Sequence, residues 1–179
     1  VGDEVFGNLF DLRGGAFAEY AAAPEKLLVR KPANLSFAQA AAVPMAAVTA
    51  LRGLREYLAV QPGHKVLING ASGGVGTFAI QIAKALGAEV TAVVSSRNVE
   101  LARRLGADHV LDYTREDFTQ SGEQYDLILA VNGYQIAHGS PLDEDGHIVT
   151  TVDAGYAFPY IESDITFFGH THLQGGFAW

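Results

Sequence analysis

Apolar and polar positions alternate most regularly between residues 65 and 131, where the pattern predicts strands alternating with helices. Lys65-Val66-Leu67-Ile68-Asn69 is an apolar run of strand length. A glycine-rich loop follows. Val75, Ala79, Ile82, Ala83 and Leu86 then recur on one helical face, and Gly87 is placed to end that helix. Glu89 to Val94 predicts a second strand, Asn98 to Leu105 a short helix closed by Gly106, His109 to Asp112 a third strand, and Tyr125 to Val131 a fourth. Strands that alternate with helices imply a parallel sheet, so the expected fold class is α/β.

The flanks are less regular. Val1 to Gly7 and Ala16 to Ala21 read as strands punctuated by Gly14-Gly15, and a strand pair cannot bury a core alone. Residues 33–58 read as helical. Asn34-Leu35-Ser36 offers an N-cap, Pro44 is expected to restart a helix through Val48, Leu51, Leu54 and Leu58, and Pro62-Gly63 is expected to end it. Beyond Tyr134 the periodicity is lost. Ala137 to Pro141 reads as a loop, Asp143-Glu144-Asp145 is acidic, and Ile148 to Val152 and Ile165 to Phe168 are strand candidates.

Composition narrows the classes. The 179 residues suit one domain with trimmings, and 49% hydrophobic content supports a packed core. A net charge of −8 argues against a general affinity for nucleic acid or anionic membrane. The chain has no cysteine, hence no disulfide, thiolate zinc site or thiol nucleophile. That fits a reducing compartment, and a cytoplasmic location is the expectation. Val1-Gly2-Asp3-Glu4 does not look like a signal peptide, and no apolar run approaches the roughly 20 residues of a membrane helix. A start without Met and a stop at Phe177-Ala178-Trp179 make both ends read as cut.

The chemistry concentrates in Ala71-Ser72-Gly73-Gly74-Val75-Gly76, a dinucleotide fingerprint with Ala in place of its first Gly. A diphosphate must approach the backbone closely at a helix N-terminus, where free N–H groups and the helix dipole favour negative charge. Side chains at residues 73 or 74 would block that approach, and Gly76 lets the helix lie close on the sheet. Ser72 can add a hydroxyl hydrogen bond. A glycine turn alone is a weak signal, but this one follows a strand and opens an amphipathic helix. The second strand then discriminates between cofactors. An NAD site carries Asp or Glu about 20 residues past the loop, on the ribose 2′-hydroxyl. Here Ser95-Ser96-Arg97 stands instead, two hydroxyls and a guanidinium suited to a 2′-phosphate. The plainer alternative is that Arg97 is a solvated residue at the start of the next helix. The expected cofactor is NADP(H).

These residues resemble the medium-chain dehydrogenase/reductase superfamily, in its zinc-independent quinone oxidoreductase-like branch, from Val1 to about Tyr134. The Gly2-Asp3-Glu4-Val5 and Gly15 to Tyr20 segments are similar to late strands of its GroES-like β-barrel domain. Ala42-Val43-Pro44 to Leu51 is similar to the helix crossing to the cofactor domain. Leu105-Gly106-Ala107-Asp108, Asp112-Tyr113 and Asp126 to Gly133 match its third and fourth strands. The resemblance implies a Rossmann-like parallel sheet with flanking helices, plus a remnant of the β-barrel at the N-terminus. Its divisions fall at 1–31, 32–62, 63–134 and 135–179. It implies Thr49 near the nicotinamide and, within the branch's loop Ala71 to Gly76, Ser72 to Val75 on the diphosphate. Ser96 and Arg97, with Tyr113, would face the 2′-phosphate, and Val131, Asn132 and Gly133 the nicotinamide ribose. For Thr49 and Tyr113, simple packing weighs equally. The implied activity is hydride transfer from NADPH to a small molecule (a quinone, enone or aldehyde), with a homodimer left open. The family's opening strands and later Rossmann strands are not recognisable, which predicts a fragment with an incomplete substrate site.

From about Gln135 the chain resembles another family. Ile136 to Pro141 and Phe168-Gly169-His170-Thr171-His172 are similar to the last metal-binding motifs of calcineurin-like metallophosphoesterases. That resemblance implies His138, His170 and His172 as ligands of a divalent metal. The family's opening motifs are not recognisable, so a two-metal site lacks its bridging carboxylate. A histidine-containing loop is the plainer alternative. The chain then reads as two fragments joined near Asn132 to Ile136. The functional alternatives are a reductase, a metal-dependent phosphoesterase fragment, and a non-catalytic nucleotide-binding module.

Overall fold

The computed structural model describes residues 1–9, 18–131 and 148–149. They form two compact units, Val1–Val48 and Thr49–Trp179, and the division between them falls inside the long helix.

In the first unit, β1 (Val5–Gly7) pairs antiparallel with β2 (Leu28–Arg30). The expected strand over 16–21 is not found among its described residues 18–21, and the partner strand lies further on, at Leu28–Arg30. The Lys31 side chain is almost fully buried and fixes the entry to the helix. Its ammonium reaches Glu4 at 3.1 Å and the Leu35 carbonyl at 2.6 Å, and lies over the Phe37 ring.

Helix α1 (Phe37–Leu51) begins at a reciprocal cap. The Gln39 N–H donates to Ser36 Oγ, and the Ser36 N–H donates to Gln39 Oε1. Pro44 does not restart the helix as expected; α1 runs straight through it and continues as a π-helical turn, Arg52–Tyr57. A proline removes one interior hydrogen bond. Here the helix beyond it is anchored by burial of Thr49, Ala50 and Leu54. The Leu58 N–H bonds the Gly53 carbonyl, five residues back, and Arg52 holds both Glu56 and the Tyr57 hydroxyl. The chain turns away at Ala59, whose φ is 49°, before Pro62-Gly63 is reached. The continuous helix Phe37–Tyr57 is long and apolar enough, by length and composition alone, to cross a membrane. The expectation concerned an unbroken apolar run; the helix reaches this length by joining the segments before and after Pro44 and by including Arg52, Arg55 and Glu56.

The second unit is a parallel sheet in the order β5-β4-β3-β7, built from β3 (Lys65–Asn69), β4 (Glu89–Val94), β5 (His109–Asp112) and β7 (Leu127–Ala130). Helices α2 (Gly74–Ala85) and α3 (Val99–Arg104) connect the first three strands. The predicted fourth strand is split at Asp126 into β6 (Gln124–Tyr125) and β7. The Asp126 carboxylate accepts the Lys65 N–H at 2.7 Å, and the Asp126 N–H donates back to Lys65. Strand β6 pairs with β8 (Ile148–Val149), within one of the tail's strand candidates.

Two apolar clusters cover the sheet. The larger joins Val66, Ile68, Val90, Ala92, Val94 and Leu129 to Ala79, Ile80 and Ala83 of α2 and to Leu54. The smaller, on Leu67 and Val93, includes Tyr125 and Ile128 with Phe118 and Leu111 against them. Burial on both faces explains why β3 and β4 read as unbroken apolar runs rather than alternating ones. Strand order reverses beside β3: β4 and β5 extend to one side, β7 to the other. The crevice beyond the strand ends at such a reversal is where α/β sheets bind ligands.

Candidate cofactor site

The loop leaving β3 makes its tight turn at Gly70, not at Ala71. Gly70 has φ of 79°, and its carbonyl accepts the Gly73 N–H. Ala71 is fully buried and its N–H bonds the Val93 carbonyl of β4. The fingerprint tolerates alanine because the left-handed residue sits one position earlier. Sequence reasoning missed Gly70, although a glycine directly after a strand was a visible signal.

The three later glycines have different surroundings. A Cβ on Gly76 would lie 2.3 Å from the Gly70 carbonyl oxygen and 2.6 Å from Ala71 Cα, so close packing of helix on loop requires glycine there. A Cβ on Gly74 would meet nothing within 4 Å, and one on Gly73 only the Gly70 oxygen at 3.4 Å. Those two positions face open space at the start of α2, where the first N–H groups of a helix have no intrahelical partner. Gly73 is the N-cap and brings no side-chain capping bond. The cradle therefore fits a diphosphate in size and polarity.

The turn after β4, Ser96–Asn98, is a single 3-10 turn. Its side chains divide in direction. Ser96 Oγ donates to Asp112 Oδ2 at 2.5 Å and lies 2.8 Å from Thr114 Oγ1. Thr114 also gives its N–H and its hydroxyl to Asp112 Oδ1. The hydroxyl of Ser96 is thus turned toward the protein, which revises its expected place on a 2′-phosphate. The hydrogen bond from Ser96, above all, and those from Thr114 hold the Asp112 carboxyl below its ordinary range against the opposing effect of burial. Asn98 donates to Ser72 Oγ at 3.1 Å and Ser95 Oγ at 3.2 Å. Sequence reasoning missed both Asn98 and Asp112. Arg97 is exposed and pairs with no carboxylate among the described residues.

Tyr113 is 56% exposed and its N–H bonds the Val94 carbonyl, which puts it beside the end of β4. It also heads a shallow pocket of about 260 Å³ formed by residues 113–118. At the other side of β3, the Val131 N–H bonds the Asn69 carbonyl. Thr49 is buried, 4% exposed, within the second unit. Asn132, Gly133, His138, His170 and His172 lie outside the described residues. Among the described residues no cluster of three His, Cys, Asp or Glu could hold a metal.

Strand order and the glycine-lined cradle at the strand-order reversal define a Rossmann-type α/β unit. Comparison with known proteins places it more closely. The sequence model of a family described as "Zinc-binding dehydrogenase" matches residues 74–138. A chloroplast envelope quinone oxidoreductase homolog of Arabidopsis thaliana is 40% identical over 160 residues, covering 83% of this chain and 49% of its own. An NADPH-dependent alkenal/one oxidoreductase of the same plant, chloroplastic, is 37% identical, covering 90% of this chain and 48% of its own. Among solved structures, the quinone oxidoreductase from Coxiella burnetii superposes with a TM-score of 0.69 at 38% identity, over 74% of this chain and 43% of that one. The chain belongs to the medium-chain dehydrogenase/reductase superfamily, in its zinc-independent quinone oxidoreductase-like branch. It spans about half the length of these curated relatives. The cytoplasmic expectation is overturned: several of the matched relatives are designated chloroplastic or mitochondrial, organellar rather than cytoplasmic enzymes. Absence of cysteine suits any reducing compartment and could not have separated the two.

Proposed function

We propose that the chain is the cofactor-binding part of an NADPH-dependent reductase that delivers hydride to a quinone or an activated alkene such as an enone. The observation that carries this is the exposed Arg97 guanidinium. It stands without a carboxylate partner among the described residues, at the strand end where an NAD site would place Asp or Glu. The open space at Gly73 and Gly74 supports the diphosphate half of the same reading. Bound NADPH would supply the hydride, and the protein's part is orientation. Ser72 and the residues through Gly76 would hold the diphosphate, Ser95 and Arg97 with Tyr113 the 2′-phosphate, and Val131 and Thr49 would border the nicotinamide end. With its hydroxyl given to Asp112, Ser96 would contribute its backbone N–H. The names of the relatives favour quinones and alkenals as acceptors. Titration of the chain with NADPH and with NADH tests the reading. Tighter binding of NADPH is expected, and equal affinity would overturn it. Oxidation of NADPH by 9,10-phenanthrenequinone tests the acceptor class.

A further inference from the structure

Resting on that cofactor reading, we propose that Asn98 is a positioning residue of the site. Its side-chain amide donates to the Ser72 and Ser95 hydroxyls and so turns both hydroxyl protons toward the cofactor's phosphates. An amide nitrogen has two N–H groups, and Asn98 Nδ2 lies 3.1 Å from Ser72 Oγ and 3.2 Å from Ser95 Oγ, one for each. Each serine oxygen is thereby an acceptor within the protein. Among the described residues neither hydroxyl donates to another protein group. Their protons are left for an acceptor outside, and phosphate oxygens are acceptors only. Ser96, one residue along, has the opposite polarity, because its proton goes to Asp112.

Helix capping does not explain the asparagine at 98. Asparagine at the N-cap of a helix ordinarily bonds the first turn with its own side chain. Asn98 occupies that position ahead of α3 yet makes no side-chain capping bond. Its side chain reaches across to the loop after β3 instead. The two serines belong to different parts of the sheet, Ser72 after β3 and Ser95 after β4, so one neutral side chain sets the spacing between the diphosphate and ribose ends. An aspartate there would accept both serine protons and repel phosphate.

The test is calorimetric titration of the 179-residue chain with NADPH, for the unaltered protein, Asn98→Ala, the pair Ser72→Ala with Ser95→Ala, and the triple variant. Asn98→Ala is expected to weaken binding about tenfold, in line with loss of one charge-assisted hydrogen bond. In the Ser72→Ala/Ser95→Ala background the same substitution should cost less than about twofold, because its effect passes through the serines. Unchanged affinity in Asn98→Ala, or an undiminished penalty in that background, overturns the proposal while leaving the cofactor reading intact. If the unaltered chain binds no NADPH, the cofactor reading fails and this proposal with it. A measurement on the unaltered chain guards against a variant that does not fold. In nitrogen-15 spectra the side-chain amide protons of Asn98 should exchange with water more slowly than those of exposed Asn34. Equal rates overturn the proposal.

Discussion

The two ends of the cofactor site are built by different means. At the diphosphate end, from Gly70 to Gly76, recognition belongs to the backbone. The side chains matter chiefly by being absent: Gly76 so that helix and loop can touch, Gly73 and Gly74 so that a phosphate can. At the ribose end, from Ser95 to Asn98 and from Asp112 to Thr114, recognition belongs to side chains whose hydrogen bonds have a direction. The first end is a matter of room, the second of which oxygen keeps its proton. Steric requirements fail abruptly, whereas a changed hydrogen-bond direction shifts affinity and leaves the fold standing.

The largest effect should come from Gly76→Val. The new Cβ would fall 2.3 Å from one backbone atom and 2.6 Å from another, and neither can move as a flexible side chain would. A loss of more than about 3 kcal/mol is expected, read as a fall in the urea midpoint. An unchanged midpoint would break the steric account of this end. Arg97→Glu comes next. It should leave the midpoint alone and remove the preference for NADPH over NADH, a change of roughly 1.5–3 kcal/mol in the titration. If the preference survives, side chains other than Arg97 read the 2′-phosphate. Smaller again is Gly74→Ala, which sharpens the contrast inside one loop. Nothing lies within 4 Å of its new methyl, so stability should stay within about 0.5 kcal/mol, while both cofactors bind roughly tenfold more weakly. Loss of stability instead would mean that Gly74 serves the fold.

This division also explains what could be read from sequence. The sequence pattern predicts strands β3, β4 and β5 to the residue: burial on both faces writes β3 and β4 as near-continuous apolar runs, and the edge strand β5 is set off by Gly106, which closes the helix before it. The cradle was legible for a similar reason, since a glycine that must be small is visible as a letter. The ribose end was legible only in its charge. Arg97 could be read, but not that Ser96 turns inward or that Asn98 bridges two strands, because both depend on residues 16 and 26 positions away. The passage of α1 through Pro44 was hidden similarly: local propensity says break, while burial of Thr49, Ala50 and Leu54 holds the helix together. The split of the fourth strand turned on the Asp126 carboxylate finding the Lys65 N–H, 61 residues away.

The smallest expected effect concerns the proton at Asp112, and it separates the two ends by pH. Ser96 gives its hydroxyl to one oxygen of this carboxylate, and Thr114 gives its N–H and hydroxyl to the other. These bonds favour the charged form, so the native carboxyl titrates below its ordinary range. In that window the unfolded chain holds more protons than the folded one, and stability therefore rises with pH. The contribution is fully present above about pH 4, the usual carboxylate value, and is lost as pH falls through the depressed native value. Asp108, which accepts from Lys84 and from the Val90 N–H, also lies below its ordinary range despite the opposing effect of burial, and titrates in the same window. Urea midpoints for the unaltered chain and for Asp112→Asn isolate the first group, because Asp108 is common to both and cancels in the difference. The gap between the two should be widest near neutral pH and close in acid. The gap between the unaltered chain and Gly76→Val, which involves no titrating group, should stay open over the same range. A gap for Asp112→Asn that persists undiminished in acid would mean that shape, not charge, holds the ribose end, and the two ends would then differ less than their hydrogen bonds imply.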